Sequence, residues 1–486
     1  MNIVVKKIKL MGFFQKKAKG VALLEALILI MVIALFLGVM VTLTLLGLNI
    51  SRQGTRQTHA LDIAEAGINY YLWHLIHDPS DYCDGAACTA GPPYGPYVHD
   101  FYDNTGSKVG TFTIWITPPQ GNNLVTVESR GDVEDGNENR ILVAKLGIPS
   151  FAQYAVLAND TVNHIRFGAD TEVFGPIHNN GGVRFDGIAH DLVSSALATY
   201  SDPDHPGADE PAVHTHQSDP SQVFLGGTAF PVPPVDFGQV TSDLNELRAK
   251  AQDDGMYYGS SGARGYRIIL RTSDTFDIYR VNNVTSSCWG GTGLGWQSTD
   301  SITSQTLITS SVPFSANGVI FVEDDLWVDG RIDGANLTIA SARLPDTPST
   351  NTNVTINNDL TYTNYDGSDK IGVIAQRNIG PGLISEDDLR IDAALLAQNG
   401  RVGRNYFRRA CNSTYYQREL ITVYGAIATN RRYGFTWLCG NSWTEGDACD
   451  SGYQNRNIIY DQNLSANPPP SFPTIGNYAI LDWREK

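Results

Sequence analysis

The sequence has no charged residue between Ala26 and Ser51, no acid in its first twenty residues, no cysteine before Cys83 and no Cys-x-x-Cys spacing. Each gap excludes something. An uncharged apolar run of that length does not suit the surface of a soluble domain. Without close cysteine pairs, zinc-ribbon and thiol-redox chemistry are disfavoured. Gly 47 and Pro 23 are too few for a collagenous or low-complexity chain. A surplus of base is missing too: the formal charge is −16, and a nucleic-acid binder needs a basic face to neutralise phosphates. What remains, 42% hydrophobic and 10% aromatic over 486 residues, is enough to pack two or three domains.

The bases that do occur are unevenly placed. Lys6, Lys7, Lys9, Lys16, Lys17 and Lys19 precede the apolar run on a chain that is otherwise acidic. A helix over Ala26–Ser51 reaches roughly 39 Å at ~1.5 Å per residue, more than the ~30 Å hydrocarbon core. The lysines hold that end in the cytoplasm, so the chain after about residue 51 is exported. An ordinary secretory signal has a shorter apolar stretch and a small-x-small cleavage site. Here Gly20 precedes the run instead, and one acid, Glu25, lies near its start. A lone carboxylate in that position costs several kcal/mol unless it is interfacial or finds a cation. The lysines offer an interfacial answer. A cut after Gly20 offers another: Val21 then carries a new α-amine one turn from Glu25. In a bundle of such helices the carboxylate of one subunit pairs with the amine of the next.

The stretch Lys19-Gly20-Val21-Ala22-Leu23-Leu24-Glu25 resembles the class III leader of type IV pilins and pseudopilins. The resemblance implies a leader over residues 1–20, cleavage after Gly20 by a prepilin peptidase, N-methylation at Val21 and an assembly role for Glu25 toward other pilin subunits. Val21 departs from the Phe or Met usual at that position.

Beyond Ser51 the pattern turns amphipathic. Ala60, Ile63, Ala64, Gly67, Ile68, Tyr71, Leu72 and Leu75 recur at three- and four-residue spacing, with Arg52, Arg56, Asp62 and Glu65 opposite. Pro79 ends the helix, which predicts one helix over 21–78, about 87 Å long, with 21–50 in the membrane and Gly47 and Gly54 as soft points. Ala60-Leu61-Asp62-Ile63-Ala64-Glu65-Ala66-Gly67-Ile68 resembles the stretch shared by PilX-type minor pilins. Three alternating runs, 111–116, 124–127 and 141–144, predict an antiparallel sheet within 79–149 lying on the second half of the helix. The pilin resemblance implies the same arrangement.

From residue 150 a different organisation is expected. Ile320-Phe-Val322, Leu337-Thr-Ile339, Val354-Thr-Ile356, Ile371-Gly-Val373 and Leu389-Arg-Ile391 share one apolar-x-apolar form, with starts separated by 17, 17, 17 and 18 residues. Ile421-Thr-Val423 repeats it after an insertion, and Ile165-Arg-Phe167 and Val183-Arg-Phe185 lie 18 apart. Short strands stacked coil on coil have this form, which predicts a parallel β-solenoid over 150–190 and 313–440, against an antiparallel sandwich. The stretch 191–312 reads as an inserted α+β excursion with a short helix on Val240, Leu244, Leu247 and Ala251. Residues 441–486 read as a C-terminal cap. The fold class is thus mainly β with one long N-terminal helix. Phe174–Asn180, Leu326–Gly330, Tyr460-Asp461 and Pro469–Pro473 loosely resemble domains found behind PilX-type N-termini in bacterial envelope proteins, which implies no catalytic residues.

All six cysteines, Cys83, Cys88, Cys288, Cys411, Cys439 and Cys449, follow the membrane segment. Six allow 15 pairings; the short loops 83–88 and 439–449 are favoured, which leaves Cys288 with Cys411, and the connectivity stays open. Asp324-Asp325 and Asp387-Asp388 are the candidate carboxylates of a β-helix hydrolase or lyase, against the commoner reading as turn acids. His205, His214 and His216 with Asp209 and Glu210 form a candidate metal loop that a polar loop explains equally well; no cofactor is expected.

Two functions follow. The preferred one is a non-enzymatic minor pilin or pilus-assembly protein, built into or priming a type IV pilus-like filament through its helix. It displays a solenoid head for adhesion or protein contacts, with a surface or carbohydrate ligand and no nucleic acid. Its places are the inner membrane before assembly and the cell surface or pilus after it. A type II secretion pseudopilin is a variant of this reading. The alternative is a membrane-anchored envelope polysaccharide hydrolase or lyase. A groove with paired carboxylates favours the alternative; its absence favours the first.

Overall fold

The computed structural model describes residues 21–88, 91–119, 124–162, 164–169, 171–202, 207–439 and 444–486. The leader with Gly20, and His205, lie outside the described residues.

Helix α1 (Val21–His77) is continuous. Its described side chains from Leu23 to Thr55 are exposed, whereas Ile63, Ala64, Ile68, Tyr71 and Leu75 are buried. The change follows the sequence: an uncharged run uniform around its circumference gives way to a stripe. The stripe packs on an antiparallel sheet of β1 (Tyr94–Tyr102), β2 (Lys108–Thr117), β3 (Val125–Val133) and β4 (Asn139–Gly147). Alternation places Phe112, Ile114, Ile116, Val125, Val127, Leu142, Ala144 and Leu146 on the helix side. Two glycines set the approach. A side chain at Gly67 would collide with Ser129 Oγ and Phe112, and one at Gly131 with the backbone of Ala60 and Ala64. Beyond the helix, Asp81 accepts from the backbone of Cys83 (2.8 Å) and Gly85 (2.6 Å) and from His74 (2.9 Å).

The sheet has a fifth strand that the sequence did not announce. Ala479–Glu485, expected within a cap, pairs antiparallel with β4. Arg140–Glu485 (2.6 Å) and Lys145–Asp482 (3.5 Å) join the two. Everything between β4 and this strand is therefore an insertion in the sheet.

Among the described residues that insertion is mainly a stack of short parallel strands in three large ladders, a pairing compatible with the coils of a β-solenoid, with a smaller parallel ladder through Ile165, Val183 and Val213 and an antiparallel set over 265–313 beside them. The longest ladder joins ten strands, through Met256, Ile320, Ile339, Val373, Leu395, Ile427, Val156, Ile177, Val193 and Thr228 in turn. At ~4.8 Å per step it is about 43 Å tall. A second ladder carries Leu326, Val354, Ile379 and Val402. A third carries Leu360, Ile391, Val423, Ile458, Val173 and Ala189. Side chains from all three meet in one core.

The ladders correct the repeat. Ile320, Leu337 and Ile371 share the first ladder, but Val354 belongs to the second and Leu389 to the third. Within the first ladder, paired residues lie from 16 (Ile177 to Val193) to 35 (Val193 to Thr228) residues apart where the stack follows the chain, but 64 apart at Met256–Ile320 and 271 apart at Ile427–Val156. Every side of a coil is built from the same apolar-x-apolar strand, so an even spacing of triplets is not the spacing of coils. Ile165 with Val183, and Leu389 with Ile421, are direct neighbours.

Chain order and stacking order also differ. Residues 191–312 supply rungs at both ends of the first ladder, Val193–Ser195 and Thr228–Ala229 at one and Met256–Tyr258 at the other. Ser451–Tyr460, expected in the cap, is a rung between Gln417–Thr429 and Glu172–Phe174. Helix α2 (Val240–Asp253) carries the chain from one end toward the other, burying Val240, Leu244, Leu247 and Ala251. Its Thr241 meets Gln398, beside the Leu395 rung, and its Lys250 carbonyl accepts from Asn317 (3.0 Å), beside the Ile320 rung. Those rungs are three steps apart, about 14 Å, which matches nine residues of helix at ~1.5 Å.

Disulfides join Cys83 to Cys88, Cys288 to Cys411 and Cys439 to Cys449. The second fastens the hairpin of Cys288–Trp289 and Trp296–Gln297 to the insertion that follows the Leu395 rung.

Candidate functional sites

Glu25 sits in the first turns of α1, at the end of a helix exposed along its apolar length. Val21 opens the helix; the bond after Gly20 lies outside the described residues. Among the described residues nothing else covers this segment, and its surface of Leu, Ile, Val, Met and Phe suits lipid or other helices.

The aspartate pairs hold turns. Asp324 is buried and accepts from Ser261 N (2.9 Å) and Oγ (2.6 Å) while pairing with Arg343. Asp325 accepts from Asn353 N (2.8 Å), and burial pushes its carboxyl above the ordinary range. Asp387 accepts from Glu419 N (3.2 Å) and meets Arg418 (3.1 Å). Asp388 begins a strand in register with Leu420. The two pairs precede strands of different ladders.

The motif Phe174–Asn180 is also structural. Asn180 clamps Val235 through both backbone groups (Nδ2 to O 2.7 Å, N to Oδ1 2.8 Å), and His178 bridges Ser194 (2.9 Å) and Asn180 (3.0 Å). Gly175, at φ +144°, leaves room for the Tyr460 ring of the next rung. Pro470 O accepts from Thr338 Oγ1 (2.6 Å), which lays the Pro-rich tail along the stack.

Two further features come together in space. A cavity of about 870 Å³ is walled by Arg166, Arg184, Arg401, Arg432 and Arg456, with Tyr433 and Trp437. Arg401 lies over the Trp437 ring at 4.9 Å, and burial lowers its pKa to about 10. Among the described residues of the wall the single carboxylate is Asp186, held by Arg184 (2.9 Å). At its rim Asp202 is wholly buried, with His214 Nε2 3.3 Å and His216 Nε2 3.4 Å from Oδ2, and His164 Nε2 4.0 Å from Oδ1. The strand Thr199–Tyr200 pairs with Glu210–Pro211 and brings Asp202 back over Val213–His214. Of the expected metal loop, His214 and His216 are in the group; Glu210 lies in the hairpin strand, opposite Tyr200. Asp202 and His164 escaped the sequence reading, because only the hairpin and the stack bring them to the histidines.

The chain matches no protein-family model and no curated protein. Among solved structures it resembles the competence-associated pilin ComZ from Thermus thermophilus at 12% identity, over 89% of this chain and 98% of that one, with a TM-score of 0.28. That likeness is too distant to bear on the reading.

Proposed function

We propose that the chain is a minor pilin or pilus-assembly protein of a type IV pilus-like system. It is processed after Gly20, enters or primes the filament through α1, and displays the parallel stack as a head for adhesion or protein contacts. One observation carries the reading: Glu25 lies on a helix that is otherwise uncharged to Ser51 and exposed over that length, and the same helix then grips a sheet. In a plain anchor only an interfacial position beside the lysines accommodates that carboxylate. A bundle of such helices gives it a specific role, because the α-amine of a neighbouring Val21 supplies a cation.

The partners of this reading are the prepilin peptidase, other pilin subunits and, before assembly, the inner membrane. Three disulfides suit a body on the exported side. The hydrolase or lyase reading requires two carboxylates facing a groove. Its candidates are engaged in turns, and the large cavity is walled by arginine.

N-terminal mass analysis of the envelope form tests the processing: a free or methylated amine at Val21 is expected, and an intact Met1 overturns it. Glu25→Val is expected to spare membrane insertion and abolish recovery in sheared filaments; unchanged recovery refutes the pairing role.

A further inference from the structure

We propose that Asp202, His214 and His216 bind a divalent transition ion of zinc's chemistry at the rim of the arginine-walled cavity. This goes beyond the filament reading and does not depend on it. Zinc held tetrahedrally by nitrogen and oxygen at ~2.0–2.1 Å sets adjacent donor atoms about 3.3 to 3.4 Å apart. His214 Nε2 and His216 Nε2 lie 3.3 and 3.4 Å from Asp202 Oδ2, and the three donor atoms fall within 4.8 Å of one another. Two of the three donor separations thus match those of a tetrahedral coordination sphere, the same distances also allowing direct hydrogen bonds.

The donor set selects the metal. Two imidazoles with one carboxylate suit zinc and its neighbours, whereas calcium and magnesium take oxygen. The surroundings support the same choice. Asp202 is 1% exposed, and a divalent ion bound there would complement the charge of a carboxylate removed from water.

The backbone holds the group in place. His214 ends the strand Val213–His214 and His216 follows in a bend, and the Nε2 atoms of both reach Asp202 Oδ2. Asp186 fixes that segment by accepting from His216 N (2.8 Å), and its carbonyl accepts from Gln217 Nε2 (3.0 Å). His164, 4.0 Å from the other oxygen of Asp202, closes the far side. His216 faces the cavity, so three protein ligands leave the fourth position to water.

The test uses the full chain in detergent, stripped with a chelator and titrated with zinc chloride against a chromophoric competitor, with thermal unfolding followed in parallel. One zinc per chain at micromolar concentration and a higher melting temperature are expected, with magnesium chloride giving neither. His216→Ala removes a partly exposed ligand that the fold tolerates, and is expected to weaken binding by at least about tenfold. Asp202→Asn keeps the shape of the side chain and is expected to abolish binding. His190→Ala, which removes a partly exposed ring paired with Glu172 and stacked on Phe174, leaves binding intact. The proposal is overturned if the parent chain takes up no zinc, if His216→Ala binds like the parent, or if His190→Ala loses binding to the same degree. Where Asp202→Asn does not fold, His216→Ala decides alone.

Discussion

Replacing Arg404 by lysine is expected to loosen the insertion over 398–416, by somewhat less than replacing it by alanine. The side chain is wholly buried and donates to four backbone carbonyls: Gly382 (3.2 Å), Leu383 (2.9 Å), Tyr415 (2.7 Å) and Tyr416 (3.0 Å). Its Cζ lies 5.2 Å from the Phe407 ring centre and 5.6 Å from that of Tyr453. Burial draws its pKa down to about 10, still far enough above neutrality for the charge to persist at pH 7. The two pairs of carbonyls belong to different segments, one before the insertion and one at its end. A planar fork with five donors spans them; an ammonium, a point donor on a flexible stem, does not. Each buried acceptor left unpaired costs about 1–3 kcal/mol. Tyr416 O keeps donors in Gly452 N (2.9 Å) and Ser451 Oγ (3.1 Å), so alanine orphans three acceptors and lysine about two, a loss of at least about 3 and about 2 kcal/mol respectively. That corresponds to about thirtyfold faster local opening for lysine and about a hundredfold or more for alanine. Hydrogen exchange on the full chain in detergent reads it at the amides of Arg404, Cys411 and Tyr416, which are bonded to Gly434, Arg408 and Asn412. The Ile427 amide, bonded to Ala155 in the first ladder, serves as the unaffected reference. A lysine variant that exchanges like the parent would refute the argument from the fork.

Two further outcomes are expected. Burial, with Glu246 nearby, pushes the Asp243 carboxyl up to about 6 from 3.8, against the pull of the Thr474 amide. The folded chain therefore binds that proton more tightly than the unfolded one, and the stability it contributes below pH 4 is lost as pH rises through about 6. Asp243→Asn should raise stability at pH 7 by about 1 kcal/mol, discounted for partial solvation, and leave it unchanged at pH 4, as thermal melts will show. Deleting residues 477–486 removes the fifth strand and uncovers the edge of β4. Limited proteolysis should then speed up within 91–147 while the stack resists as before, and unchanged cleavage there would show that the strand does not brace the sheet.

How far the sequence disclosed this fold depended on the range of the interactions. Helix α1 was legible because an uncharged run and a three- and four-residue stripe are local patterns. So were β2, β3 and β4, whose buried residues alternate. β1 was missed because its run from Tyr94 to Tyr102 lies at an edge and buries little. The fifth strand was missed because its partner is more than three hundred residues away. In the stack the strands were visible but not their order, since three sides contribute the same triplet and turns of unequal length scatter the true period. Among the candidate sites, the His-x-His pair could be read and its carboxylate could not. The arginine wall was hidden twice over: its members come from separate stretches, and the net charge of −16 says nothing of a local excess.

The path of the chain has a mechanical consequence. Because the stack interrupts the sheet between β4 and the fifth strand, two crossings join it to the helix-bearing unit rather than one. They are also bonded to each other: Phe151 N donates to Pro473 O (3.1 Å), Ile475 N donates to Pro149 O (2.6 Å), and Ser150 faces Thr474 in an antiparallel bridge. A single linker would let the stack swivel about its bonds. Two paired crossings remove most of those rotations at the cost of a few ordered residues. Force applied to the stack then reaches β4 through hydrogen bonds along both strands, and reaches α1 through the buried contacts of Ile63, Ile68 and Leu75 with the sheet. Under the proposed filament role, that coupling would let a contact made at the stack be borne by the assembly beneath it.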